Sequence, residues 1–327
     1  MHWTKSKGTG GRVGSEDDFI VEEIPSRKYF SRFRRSGSGV KTVEGPYTLG
    51  ILWKKGMTTR EALDAVGKEL NLKRDDIGYA GLKDKFAVTS QYITVKGSIS
   101  EICKENLRLS VAGYTDRMMQ VGDLEGNRFG ITLQSCRSPK NIAIFVREIS
   151  SRGMPNYFGP QRFGMHGNNH IIGKLLLNDR KEAMKLIDRN GGNTEKRTLK
   201  FYIHAYQSYL FNKLLDRYIS IHTKPFFGEF PIAGFDAKLR NGFAGKEMRE
   251  IMKEEAVRTE DFSVRELGIR CTGSSRAAFV MPKEISYKID GKTIELRFVL
   301  PKGSYATVLI GELSKNKIPK RACQSSP

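Results

Sequence analysis

Between Ile285 and Leu300 apolar residues alternate with polar ones: Ile285, Tyr287 and Ile289 on one arm, Ile294, Leu296, Phe298 and Leu300 on the other, with Asp290 and Gly291 between them. A period of two sends successive side chains to opposite faces of a strand, and Asp-Gly supplies the left-handed backbone of a two-residue hairpin turn, so the segment predicts an antiparallel pair. A lone hairpin is marginal in water and needs partner strands or a helix against its apolar face. Strand signals also lie near the other end. In Asp18 to Ile24, Phe19, Val21 and, after a break at the paired Glu22 and Glu23, Ile24 suggest a half-buried strand, and Tyr47 to Trp53, the end of Gly78 to Val95, and Phe129 to Leu133 add others.

Helical patterns fall among and between these strands. Thr58 with Glu61 forms a capping box ahead of Ala62, Val66 and Leu70, while Ile142, Phe145, Val146 and Ile149 recur at helical spacing. A stronger pattern runs from about Phe201 to Ile219, with Leu210, Phe211, Leu214, Leu215 and Tyr218 on its apolar side. Strands at both ends of a 327-residue chain, with helices between, predict an α+β protein whose mostly antiparallel sheet is interrupted by an inserted domain.

Charge narrows the partners. Lys and Arg number 56 against 36 Asp and Glu, a formal charge of +20 that points to a polyanion, nucleic acid foremost. No apolar run approaches the ~18 residues needed to span a bilayer, and the N-terminus MHWTKSKGTGGRVG lacks the apolar stretch of a secretory signal, so a cytosolic protein without a membrane partner is expected. From Arg27 to Gly45, Arg32, Arg34, Arg35 and Lys41 interleave with Tyr29, Phe30, Phe33 and S-G-S-G, which suits either a loop that touches RNA or a solvated one. The tail from Lys315 to Pro327 is expected to fray. Cys103, Cys136, Cys271 and Cys323 form no C-x-x-C pair, and Gly167, Asn168 and Asn169 between His166 and His170 argue against a helix presenting both to one ion, so no metal site is expected.

Five motifs in order carry a resemblance: D-F-I-V-E-E-I at Asp18 to Ile24, A-G-L-K-D-K-F-A-V-T-S-Q at Ala80 to Gln91, G-N-R-F at Gly126 to Phe129, P-N-Y-F-G-P-Q-R-F-G at Pro155 to Gly164, and L-P-K-G-S-Y-A-T at Leu300 to Thr307. The set resembles the TruD family of tRNA pseudouridine synthases. That resemblance implies the catalytic domain shared by pseudouridine synthases, residues 1–155 and 281–327, interrupted by an inserted α/β TRUD domain over 156–280. It also implies tRNA as partner, uridine 13 as the usual target, and no cofactor. Two positions depart from the family pattern: Val13 stands near a place often basic, with Arg12 beside it, and Gly311 stands where an Arg commonly precedes Glu-Leu.

Pseudouridylation breaks the N1 to C1′ bond, turns the detached uracil, rejoins it through C5 and removes the C5 proton. It needs an ionised carboxylate at the sugar, as nucleophile on C1′ or base at C2′, and a closed pocket for an extruded base. By resemblance the carboxylate is Asp84, although an Asp in a charged turn is by itself more often a solvated or capping residue. Phe129 is the implied platform for the uracil, with a core strand residue as the other reading, and Asn127 lies near the catalytic Asp. Phe19 and Glu22 are placed by the same analogy, and Lys83 and Gln91 in the Asp84 segment are candidate substrate contacts. Lys83 and Lys85 flank Asp84, yet neighbours on an extended chain point opposite ways, so the cation that keeps Asp84 ionised is open to come from a distant segment. Asn156, Gln161 and Arg162 are candidate RNA contacts at the domain junction, or its buried scaffold. A non-catalytic RNA-binding or folding factor on the same scaffold is the alternative function.

Overall fold

The computed structural model describes residues 2–26, 34–35 and 45–316. Most of the basic stretch from Arg27 to Gly45 and the tail beyond Asn316 lie outside them. The protein is α+β, with a mostly antiparallel main sheet. It divides into two compact units, one made of Thr9–Lys140 and Pro282–Gly303, the other of Met1–Gly8, Asn141–Met281 and Ser304–Pro327.

The first unit is built on an eleven-stranded sheet. Its main strands are β1 (Phe19–Pro25), β2 (Tyr47–Lys55), β3 (Val88–Lys96), β4 (Leu107–Thr115), β5 (Leu124–Cys136), β6 (Lys283–Asp290) and β7 (Thr293–Pro301), arranged β6-β7-β5-β1-β3-β2-β4. Four shorter strands add to it, among them Arg34–Arg35 beside β4. Only β1 and β3 run parallel among these seven neighbours. Helix α1 (Thr59–Leu70) starts as its sequence predicts: the Thr58 hydroxyl accepts from the Glu61 N–H while the Glu61 carboxylate reaches back to the Thr58 N–H. Its Ala62, Leu63 and Val66 pack on Leu52, Ile93, Val95, Leu107 and Leu109 to form the core of this unit.

The second unit gathers around α3 (Lys196–Ile221), whose Leu210, Phe211, Leu214 and Leu215 are buried, and also holds α2 (Ile142–Arg152) with Ile142, Phe145 and Ile149 buried. The long helix begins five residues before its predicted start. Thr198 and Leu199 are buried and give the extra turn something to pack against, a gain that a one-face periodicity does not register.

The C-terminal hairpin forms, with its turn displaced by one residue. Asp290 pairs with Thr293, which leaves Gly291 and Lys292 as the loop, and Gly291 takes φ 56 at its first position. The arms are also unequal. Ile294, Leu296, Phe298 and Leu300 are buried, whereas Tyr287 and Ile289 stay exposed, because β6 is the last strand of the sheet.

Candidate active site

Strand β1 places Phe19, Val21 and Glu23 on its buried face. The alternation therefore runs on through Glu23 instead of breaking at the paired glutamates. In register, Phe19 faces Ile131, Val21 faces Phe129 and Glu23 faces Asn127 on β5, while on β7 Phe298 faces Phe129 and Leu300 faces Asn127. Cross-strand partners share a face, so these side chains form one surface. Gly126 makes the close approach possible, since a Cβ there would sit 2.2 Å from the Leu300 carbonyl oxygen.

Phe129 is 6% exposed. Its ring stacks on Phe298 with centroids 5.3 Å apart and meets Phe19 edge-on at 6.3 Å. Both Phe129 and Phe19 thus belong first to the packed core of the sheet, and any base they support must meet what little edge remains. Glu22 points the other way. It is exposed and pairs with Arg128 at 3.5 Å, and Arg128 in turn pairs with Glu284 at 3.0 Å, so the structure does not bring Glu22 to this face.

Glu23 takes part instead. Its Oε2 lies 2.5 Å from the Lys83 ammonium, which also donates to Asn127 Oδ1 at 3.0 Å, and its Oε1 accepts from the Tyr92 N–H at 3.3 Å. Burial pushes the Glu23 carboxyl above the usual carboxylate range even with Lys83 beside it. Desolvation therefore outweighs attraction, and the pair is better understood as an anchor than as a source of stability. Through Lys83 the turn that carries Asp84 is tied to both β1 and β5.

Two more ties hold the same turn. Gln91, fully buried, donates to the Gly81 carbonyl at 3.0 Å and accepts from Thr59 Oγ1 at 2.9 Å, while Thr59 Oγ1 accepts from the Lys83 N–H at 2.8 Å. Gln91 is thus occupied in positioning the turn. Lys54, also fully buried, donates to the backbone carbonyls of Asp84 at 2.8 Å and Met57 at 2.6 Å. Burial pushes the Lys54 ammonium down to about 8, and the Asp84 carboxylate is the strongest influence holding it charged. One cation near half-buried Asp84 therefore comes from β2, thirty residues away in sequence. Lys85, by contrast, pairs at the surface with Glu61 at 3.2 Å. Arg12 is exposed, and Val13 is partly buried.

Asn156, Gln161 and Arg162 belong to the second unit. Asn156 is 5% exposed and hydrogen-bonded on both ends of its amide: Nδ2 donates to the Ala277 carbonyl, and Oδ1 accepts from Arg276 at 2.8 Å and Ser304 at 3.0 Å. It is scaffold. Gln161 and Arg162 lie half-buried in the short helix Pro160–Phe163. Among the described residues no group of three or more His, Cys, Asp or Glu side chains is placed to hold a metal ion, and no helix is long and apolar enough to cross a membrane.

The family model described as tRNA pseudouridine synthase D (TruD) matches residues 1–198 and 221–313. The chain belongs to the TruD family. The tRNA pseudouridine synthase D of Sulfurimonas denitrificans is 31% identical over 92% of this chain and 94% of its own length. That of Nitratiruptor is 30% identical over 93% and 94%, and that of Aquifex aeolicus 27% over 90% and 98%. A crystal structure assigned as tRNA pseudouridine synthase D (TruD) from Methanosarcina mazei superposes with a TM-score of 0.73, covering 98% of this chain and 97% of that one at 22% identity, which establishes a shared fold. Within this TruD chain, the segment Ala80 to Gln91 is the one tied down by Lys54, Thr59, Lys83 and Gln91.

Proposed function

We propose that this protein isomerises uridine to pseudouridine in tRNA, at uridine 13, with Asp84 as the reacting carboxylate. The observation that carries this reading is the turn around Asp84, held at Gly81, Lys83 and Asp84 itself within a chain that matches the TruD family across most of its length. A carboxylate that must reach the sugar of an extruded nucleotide gains from a backbone that does not reorganise during the reaction. Lys54 supplies positive charge close by, which favours the ionised form of Asp84. On this reading the sheet unit is the catalytic domain and the helical unit corresponds to the family's inserted domain. Asn127 and Lys83 lie beside the uracil pocket, and the edges of Phe129 and Phe19 form its floor.

The test is tritium release from tRNA carrying 5-tritiated uridine. One equivalent per tRNA is expected, abolished when uridine 13 is replaced by cytidine. No release by the purified protein overturns the reading in favour of a non-catalytic RNA-binding factor, and release insensitive to position 13 overturns the site.

Lys54 also makes a pH prediction. Its ammonium titrates at about 8 in the folded protein against an ordinary 10.5, so between those values the unfolded chain holds more protons and the folded state gains stability as pH rises. Relative to Lys54→Met, the parent should therefore gain up to about 3 kcal/mol between pH 8 and 10.5, read by urea unfolding at each pH. A difference that stays flat across this range contradicts the burial of a charged Lys54.

A further inference from the structure

In the second unit two guanidinium groups share one aromatic ring. Arg276 lies 4.2 Å from the Phe158 centroid and Arg162 5.6 Å from it. Among the described residues neither has a carboxylate partner, unlike Arg217 with Glu247 and Glu254, Arg128 with Glu22 and Glu284, or Arg258 with Asp261. Each guanidinium carries five N–H donors in a planar fork. Arg276 spends Nε and one terminal nitrogen on the Asn156 carbonyl at 2.9 Å and Asn156 Oδ1 at 2.8 Å, with the Tyr157 carbonyl at 3.5 Å. Among the described residues Arg162 spends only Nε, on Ser208 Oγ at 3.0 Å. One terminal nitrogen of Arg276 and both of Arg162 therefore keep their hydrogens for a ligand.

Like charges brought together in a partly desolvated place cost stability unless something compensates. Burial lowers both groups, Arg276 to about 10; Tyr305 acts the other way on each, and Arg162 adds to the depression of Arg276. Contact with the Phe158 ring returns part of that cost. It leaves the donors unused, and a planar fork with free N–H groups matches the oxygens of a phosphate.

We propose that Arg162 and Arg276, held against Phe158, form a site for a backbone phosphodiester of the RNA substrate. The proposal rests on the reading of the protein as an enzyme acting on RNA, and assigns Arg276, which lies outside the motifs that mark the family in this sequence, to substrate binding. Arg276 is positioned by Asn156, which gives that buried amide a role one step removed from the RNA.

The experiment is a salt titration of tRNA affinity by the parent, Arg162→Gln and Arg162→Lys. Arg162→Gln should weaken binding about ten-fold, as for one lost charge-assisted contact, and reduce the slope of log affinity against log salt by about one. Arg162→Lys keeps a charge and should restore the slope. Parental affinity and slope in folded Arg162→Gln overturn the proposal. A second measurement needs no variant: phenylglyoxal labelling of the parent, mapped by mass spectrometry, should show tRNA protecting Arg162 and Arg276, and labelling unchanged by tRNA overturns it equally. Tritium release by the parent on the same tRNA separates the two questions, since its absence overturns the function, whereas release with unprotected arginines overturns only the phosphate site.

Discussion

Asp84→Asn should lose tritium release from tRNA by about 10²–10⁴-fold or more while keeping tRNA affinity within a few-fold of the parent. The substitution preserves side-chain shape and removes only the ionisable oxygen. It also leaves the backbone carbonyl that accepts from Lys54 in place, so the turn keeps its 2.8 Å tie. Binding, read by filter retention, draws on contacts spread over a chain of charge +20 and has no need of one carboxylate. Equal release by variant and parent would sink the assignment of Asp84, and a parallel loss of affinity would show that the residue acts in binding.

Lys83→Met should cost about 3–5 kcal/mol of stability in urea unfolding, because it strands the Glu23 carboxylate in the core without its partner. Burial already pushes that carboxyl up with Lys83 present, so the ammonium is what makes its charge tolerable. Replacing both partners, as Glu23→Leu with Lys83→Met, should recover much of the stability, since an apolar pair of similar volume avoids the desolvation of both charges. Turnover should not recover with it. The double variant still lacks the bond from Lys83 to Asn127 that ties the turn carrying Asp84 to β5. A double variant with parental tritium release would show that the pair serves folding alone.

What the sequence discloses here follows from which physical signals are local. Capping of α1 by Thr58 and Glu61, the alternation of β7 and the α+β arrangement rest on short-range periodicity and appear where expected. The site is less legible. Glu23 reads as a surface charge beside Glu22, although the same period of two that buries Phe19 and Val21 also buries Glu23, and following it one step further would have chosen between the two glutamates. Lys54 falls on the buried face of β2 with Leu52, yet a lysine in Trp-Lys-Lys-Gly suggests the solvated end of a strand, and nothing local announces that Asp84 and Met57 will offer it two carbonyls. Thr59 and Gln91 become anchors only when α1 and β3 meet. Arg276 sits in no recognised motif, and that no carboxylate among the described residues meets it is a fact about space that no spacing encodes.

The placement of β7 has a consequence for how the molecule is made. This strand pairs along β5 from Gly126 to Leu133, yet β5 ends at Cys136 and β7 only at Pro301. During synthesis at roughly 5–20 residues per second, the strand bearing Asn127 and Phe129 waits on the order of ten seconds or more, its β7 edge open, while the helical unit is translated. An open edge in a nascent chain is an invitation to pair with another copy. Ribosome-bound chains stopped short of residue 293 should therefore aggregate more readily than those that have released the last hairpin, and the nascent protein should lean on chaperones through that interval.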